Sequence, residues 1–298
     1  MLKYRLVTGI SVAAFFLAIF AFGPYWALLL LLLAVYATAH HEMRLMICSG
    51  GLSVAGLATF LAGLAYLCAS LVETGLIQAR WPALAQISIP PSETVLWLVP
   101  PILLALEVVR GRPEGAAQRF GLSLVTFWYV TIQLSFMMRI GFLAQGAAGE
   151  VADHSGRLAL TYFVWVVKWC DVGAYSIGMI FGRGRRKLIP AISPAKSVAG
   201  LGGAYLGGLL SSLAACWALQ RFWGGSGLAI SYSHAVVIGV LLATTGVLGD
   251  LGESLFKRSL GIKDSGKQFP GMGGFLDVID SLLFSAPFMY LYLRWFVL

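Results

Sequence analysis

The stretch GMGGFLDVIDSLLFSAPFMYLYLRWFVL, residues 271–298, sets glycines and two carboxylates at the mouth of an apolar run in which Arg294 is the single charge beyond Ser281. A run of this length suits a helix crossing the roughly 30 Å hydrocarbon core of a bilayer. The rest of the chain repeats the pattern. Of 298 residues, 59% are hydrophobic and 11% charged, with a mean hydropathy of +0.83. Soluble domains carry about 25% charged residues, and no water-soluble fold of this length could hide so much apolar surface. The fold class is therefore all-α, a polytopic integral membrane protein with about nine transmembrane helices.

The expected spans are 6–22, 24–40, 46–70, 92–109, 120–144, 158–181, 197–220, 233–256 and 276–296. The N-terminal run has the basic start and apolar body of a signal peptide, but its cleavage site is unconvincing and further spans follow at once, so it reads as the first helix. Gly23-Pro24 makes the first connection very short. We divide the chain into N-terminal transmembrane helices, 1–150, and a C-terminal transmembrane region, 151–298, which carries the motifs described below.

Basic residues orient these spans. Of the 21 Lys and Arg, four (Arg80, Arg157, Arg221 and Arg294) fall in one set of alternate loops, Arg139 and Lys168 fall inside spans, and the remaining 15 fall in the other set. That imbalance places the N-terminus, the 183–196 loop and the 257–267 segment on the cytoplasmic side of the cell membrane. The net charge of +8 then reads as topology and attraction to anionic headgroups; no nucleic-acid partner is expected. Cys48, Cys68, Cys170 and Cys216 lie in apolar stretches without metal-ligand spacing, and read as buried small residues. His40 and His41 border the second span and read as interfacial.

Ionisable groups inside spans cost about 2.5–3.5 kcal/mol each on the lenient insertion scale and so mark function. Here they fall in threes and fours: Lys168, Asp171 and Tyr175; Asp250, Glu253 and Lys257; Asp277 and Asp280, with Ser281 adjacent. Such spacings share a helix face. Lys168 and Asp171 can neutralise each other. Asp277 and Asp280 repel, unless a cation holds both ionised. Mg²⁺ suits that role, because it favours one or two carboxylates plus substrate phosphates. The glycines of 270–274 let backbone approach a ligand, and a helix N-terminus offers N–H groups to phosphate.

These residues resemble a known family. SLFKRSLGIKDSGKQFPGMGGFLDVIDS, residues 254–281, is similar to the signature of the phosphatidate cytidylyltransferases, S-x-x-K-R, K-D-x-G, P-G-H-G-G and L-D-R-x-D-S. DVGAYSIGMIFGRGRRKLIPAISPAKSVAG, residues 171–200, is similar to the family's D-x-x-A-Y, F-G-K and I-S-P-K-K-T-x-E-G segment. Met272, Val278 and Ala199 stand where the family has His, Arg and Glu. The resemblance implies transfer of a cytidylyl group from CTP to phosphatidate, with Mg²⁺ and a second cation as candidate cofactors. It implies Asp277, Asp280 and Asp250 as metal ligands, and Lys257 with them in catalysis. Ser193, Lys196, Arg258, Lys263, Asp264, Gly273, Gly274, Asp171 and Tyr175 are the implied substrate contacts. It also suggests a homodimer. Three other readings stay open: a CTP-dependent kinase of lipid alcohols, a catalytically altered paralogue, and a transporter whose intramembrane charges line an ion path.

Overall fold

The computed structural model describes residues 18–297 apart from 75–76, 79–80, 82, 84–85, 87, 144–154, 183–185, 224–227, 229 and 267–272. It is a bundle of α1 (Tyr25–Ser49), α2 (Gly56–Val72), α3 (Pro91–Arg110), α4 (Ala116–Gly141), α5 (Ser155–Phe181), α6 (Val198–Phe222), α7 (Tyr232–Ser259) and α8 (Leu276–Val297). An antiparallel hairpin of β1 (Lys187–Ile189) and β2 (Ser193–Ser197) joins α5 to α6. Among the described residues seven helices are long and apolar enough to span a membrane, so the expected count of nine is not reached. α2 has 17 residues and falls short of spanning length. Most of the expected first span, 6–22, lies outside the described residues. The boundary between the second and third expected spans also moves. No proline or glycine interrupts residues 25–49, so α1 continues nine residues past position 40 and carries His40, Glu42 and Arg44 with it.

Local chemistry sets the helix ends. Pro24 precedes α1, its fixed φ suiting the turn that starts a helix. Ser197 caps α6, its hydroxyl accepting from Gly200 N at 3.1 Å. Ser231 caps α7 through His234 N at 3.3 Å, and α3 ends at Gly111 in the left-handed region (φ 65°). Residues Phe127–Ile132 of α4 are π-helical. The core gathers α1, α4, α5, α7 and α8 around Tyr36, Met43, Leu134, Phe163, Leu242 and Leu283. A smaller cluster of Tyr66, Val99, Leu103 and Phe127 binds α2 and α3 to α4.

Several charges within this bundle are paired. Arg139 donates to Glu73 at 2.8 Å and to Ser92 Oγ at 2.9 Å, while Ser92 N reaches Glu73 at 2.6 Å. Arg119 and Glu107 join α4 to α3 at 2.7 Å. Two expectations about small and interfacial residues fail. Cys48 and Cys68 are exposed; in a membrane bundle an apolar side chain gains as much from lipid as from the protein interior. His40 is buried, its Nε2 against Thr59 Oγ1 at 2.9 Å and its ring against Tyr36 and Phe60.

The close approach of α5 and α6 positions the hairpin. A methyl group at Gly203 would strike the carbonyl oxygen of Gly173 and, at 2.8 Å, the Cβ of Ile177. Without a strong hydrophobic drive between helices in lipid, such contact between small residues supplies the association. Gly203→Ile should therefore lower the melting temperature of the detergent-solubilised protein clearly, since overpacking costs about 1–3 kcal/mol or more where backbone cannot yield. Gly202→Ala faces open space and should leave it unchanged.

Candidate active site

α5, the hairpin, the first turn of α6, α7 and α8 enclose a cleft of about 550 Å³. Asp171, Asp250, Asp277 and Asp280 all line it, together with Lys187 and Lys196. The cleft is sunk into the bundle: Asp171 lies ten residues before the end of α5 at Phe181, about 15 Å at 1.5 Å per residue. Two of the three stripes expected to share helix faces, on α5 and α8, thus converge with Asp250 of α7 on one space.

Each carboxylate but one is met by an ammonium group. Lys168 Nζ donates to Asp171 Oδ2 at 2.9 Å and to the carbonyl of Val278 at 2.8 Å, so the pair within α5 also holds α8. Lys196 lies 2.7 Å from Asp250 Oδ2, tying β2 to α7. Lys257 is 2.7 Å from Glu253 Oε2 and binds Asp277 Oδ1. Asp280, almost fully buried, has no such cation among the described residues. Its Oδ1 accepts from the backbone N and hydroxyl of Ser281, whose Oγ is also 3.3 Å from Asp171 Oδ1. Burying ions is tolerable only when partners replace the lost hydration, and this lattice of pairs does so.

The N-terminus of α8 is closed in a way the sequence did not disclose. Glu42 of α1, 1% exposed, accepts from Phe275 N at 2.8 Å, Leu276 N at 2.7 Å and Ser265 Oγ at 3.2 Å. Asp277 Oδ2 takes Gly274 N at 2.7 Å and Ser265 N and Oγ at 3.1 and 3.0 Å. The expectation that this glycine-rich helix start offers free N–H groups to phosphate gives way: two carboxylates already satisfy them, as acidic side chains do at helix N-termini. The glycines permit this closure. Gly273 adopts φ +94°, and a Cβ there would strike Asp277 Oδ2.

Of the residues singled out from sequence, Asp171, Tyr175, Lys196, Asp250, Asp277 and Asp280 line the cleft. Lys257, Gly273 and Gly274 sit behind it, around Asp277. Arg258 donates to the carbonyls of Ile192 and Ile262 at the exposed end of α7. Lys263 and Asp264 are exposed, and Ser193 lies on β2 outside the cleft wall. Met272 falls outside the described residues. Val278 contributes its carbonyl to Lys168, and Ala199 lies in the first turn of α6. Glu42 and Lys187 were missed. HHEMR, residues 40–44, reads as the polar end of a span, and Lys187 as one of a run of loop cations.

As an ion site the cleft offers hard carboxylate oxygens. Asp280 Oδ2 and Asp250 Oδ1 accept no hydrogen bond among the described residues, whereas both oxygens of Asp277 are engaged by Lys257, Ser265 and Gly274. Among the described residues no three of His, Cys, Asp and Glu are set to enclose a metal. This donor set would suit an Mg²⁺ ion completed by phosphates and water, which Asp280 and Asp250 would hold. Asp277, also implied as a ligand by the sequence, has its Oδ1 taken by Lys257.

Residues 3–296 match the cytidylyltransferase family, and the chain belongs to it. It is 34% identical over 205 residues to a phosphatidate cytidylyltransferase of Haemophilus influenzae, covering 65% of this chain and 66% of that protein. It is 41% identical over 140 residues to one of Bacillus subtilis, covering 47% and 49%. To one of Staphylococcus saprophyticus it is 38% identical over 154 residues, covering 51% and 56%. The chain thus matches about half to two thirds of the length of these relatives.

Glu42→Gln keeps the side chain's size but replaces one acceptor with a donor facing a backbone N–H. Amide exchange in 275–279 should then quicken by about tenfold or more, since a lost charge-assisted hydrogen bond is worth about 1.5–3 kcal/mol. Unchanged exchange would remove Glu42 from its place at the helix start.

Proposed function

We propose that the chain catalyses Mg²⁺-dependent transfer of the cytidylyl group from CTP to phosphatidate, giving CDP-diacylglycerol and pyrophosphate. The observation that carries this reading is the convergence of Asp171, Asp250 and Asp280 with Lys187 and Lys196 on one cleft. Most of its walls come from the two sequence blocks that resemble the family's motifs, with Val247 and Asp250 of α7 between them.

The chemistry asks for little acid–base work. A phosphate monoester has its second pKa at about 6, so the lipid phosphate is already a nucleophile near neutral pH. One of its oxygens forms a bond to the α-phosphorus of CTP while the bond to the β-phosphate bridging oxygen breaks, and pyrophosphate leaves. The obstacle is repulsion between two anions, which catalysis of phosphoryl transfer overcomes by positioning and charge stabilisation. Mg²⁺ at Asp280 and Asp250 would neutralise nucleotide phosphates. Lys196, paired with Asp250, stands where it can turn to a phosphate oxygen. Lys257 holds Asp277, which in turn holds Ser265 and Gly274, setting the angle at which α8 presents Asp280. Lys168 fixes α8 from the other side through the carbonyl of Val278. Arg258, Lys263 and Asp264 flank the cytoplasmic entrance in this reading and meet CTP there. Glycerophospholipid chains stay in the bilayer, and the active site faces the cytoplasm. We further propose that the working unit is a homodimer.

A label-transfer assay separates this reaction from its rivals. With phosphatidate, Mg²⁺ and CTP, α-³²P should enter lipid and γ-³²P should leave as pyrophosphate. Label from the γ-position entering lipid would instead establish a kinase, and no transfer by the folded protein would sink the proposal. Asp280→Asn should lower turnover by at least about a hundredfold, a loss of roughly 2.7 kcal/mol in transition-state stabilisation, without loss of the folded state.

A further inference from the structure

Among the described residues the cleft's ammonium groups are unequal. Lys196 lies 2.7 Å from Asp250, and Lys168 and Lys257, behind the wall, are also matched to carboxylates. Lys187, on β1, lines the same cleft without an ion pair or hydrogen bond from its side chain among the described residues. An ammonium held in a concave site next to apolar walls is a receptor for an anion.

The wall beside it says which kind. On α5 the exposed residues Trp165, Trp169, Val172, Tyr175 and Met179 recur at steps of four, three, three and four, a single outward stripe. Tyr175 and Met179 belong both to that stripe and to the cleft wall, and are 57% and 43% exposed. The outward face of α5 thus runs without a break into the space that holds Lys187. A free nucleotide has no use for such a path. A phosphate monoester carrying two acyl chains has use for both parts.

We propose that Lys187 is the docking point for the phosphate of the lipid substrate, and that the Trp169–Met179 face of α5 carries its acyl chains to the bilayer. This deepens the proposed function and rests on it for the reaction, though not for the binding. The phosphate then enters from the α5 side and meets the nucleotide held toward Asp250 and Asp280. Both anions then meet beside the hairpin, where Lys187 pairs in register with Ser197, the neighbour of the Lys196 that contacts Asp250.

Two measurements test it, on the full-length protein in nanodiscs. In the transfer assay Lys187→Ala should raise the half-saturating mole fraction of phosphatidate by about tenfold or more, the worth of one charge-assisted contact. The half-saturating CTP concentration should stay unchanged, and Lys187→Arg should restore most of the loss. In native mass spectrometry without CTP, the wild-type protein should retain dioleoyl phosphatidate over dioleoylglycerol, and Lys187→Ala should lose that preference. A rise for CTP instead would assign Lys187 to the nucleotide and overturn the proposal, as would no change for either substrate. If Val172→Cys copies form a disulfide across the α5 face in the bilayer, a second copy covers that face and the lipid path is overturned. Wild-type protein that prefers phosphatidate yet transfers no cytidylyl group would refute the proposed reaction while supporting this subsite.

Discussion

A carboxylate buried at the start of a helix organises this molecule. Glu42 of α1 is enclosed at the N-terminus of α8, more than 230 residues away in sequence, and accepts the N–H groups of Phe275 and Leu276. An ionised side chain in that setting persists only if its partners are in place, because stripping one partner from a buried charge costs several kcal/mol. The helix N–H groups in turn have no intrahelical acceptor. Each side needs the other. Through this contact the N-terminal helices fix the helix that presents Asp277 and Asp280, so the two halves of the chain are mechanically one.

The same logic extends across the cleft. Asp171 is matched by Lys168, Asp250 by Lys196 and Asp277 by Lys257, each pair linking elements or holding a neighbouring backbone carbonyl. Paired charges keep a polar cleft stable inside an apolar bundle, where lone ions would be costly. Among the described residues Asp280 and Lys187 are the cleft charges left over, one suited to a cation and one to an anion. A reaction between two phosphate-bearing molecules needs both. In the proposed reaction the resting pairs would keep the cleft open to substrates instead of closing it.

Much of this was legible in the sequence because it is local. Hydropathy gave the bundle, and spacing of three put Lys168 against Asp171 as an ion pair, which the structure shows at 2.9 Å. The same spacing placed Asp277 and Asp280 on one cleft. Spacing alone could not tell that Asp277 is held by Lys257, which sits on another helix, while Asp280 is met by Ser281. Nor could it show that the glycines of 273–274 serve an internal carboxylate before any phosphate, since the competitor, Glu42, lies at the far end of the chain. α1 outran its expected end at residue 40 because HHEMR, though polar, contains no helix breaker. The exposed cysteines escaped the usual expectation because lipid, not water, is the solvent.

The central claim is that the Asp280–Asp250 side of the cleft binds a divalent ion together with nucleotide phosphates. Anomalous diffraction from crystals grown with Mn²⁺ and a non-hydrolysable CTP analogue tests it most directly. The account predicts a manganese peak within coordination distance of Asp280 and Asp250, bridged to the triphosphate, with Glu42 still seated at the start of α8. A peak elsewhere in the protein, or nucleotide bound without any contact to these two carboxylates, would contradict it.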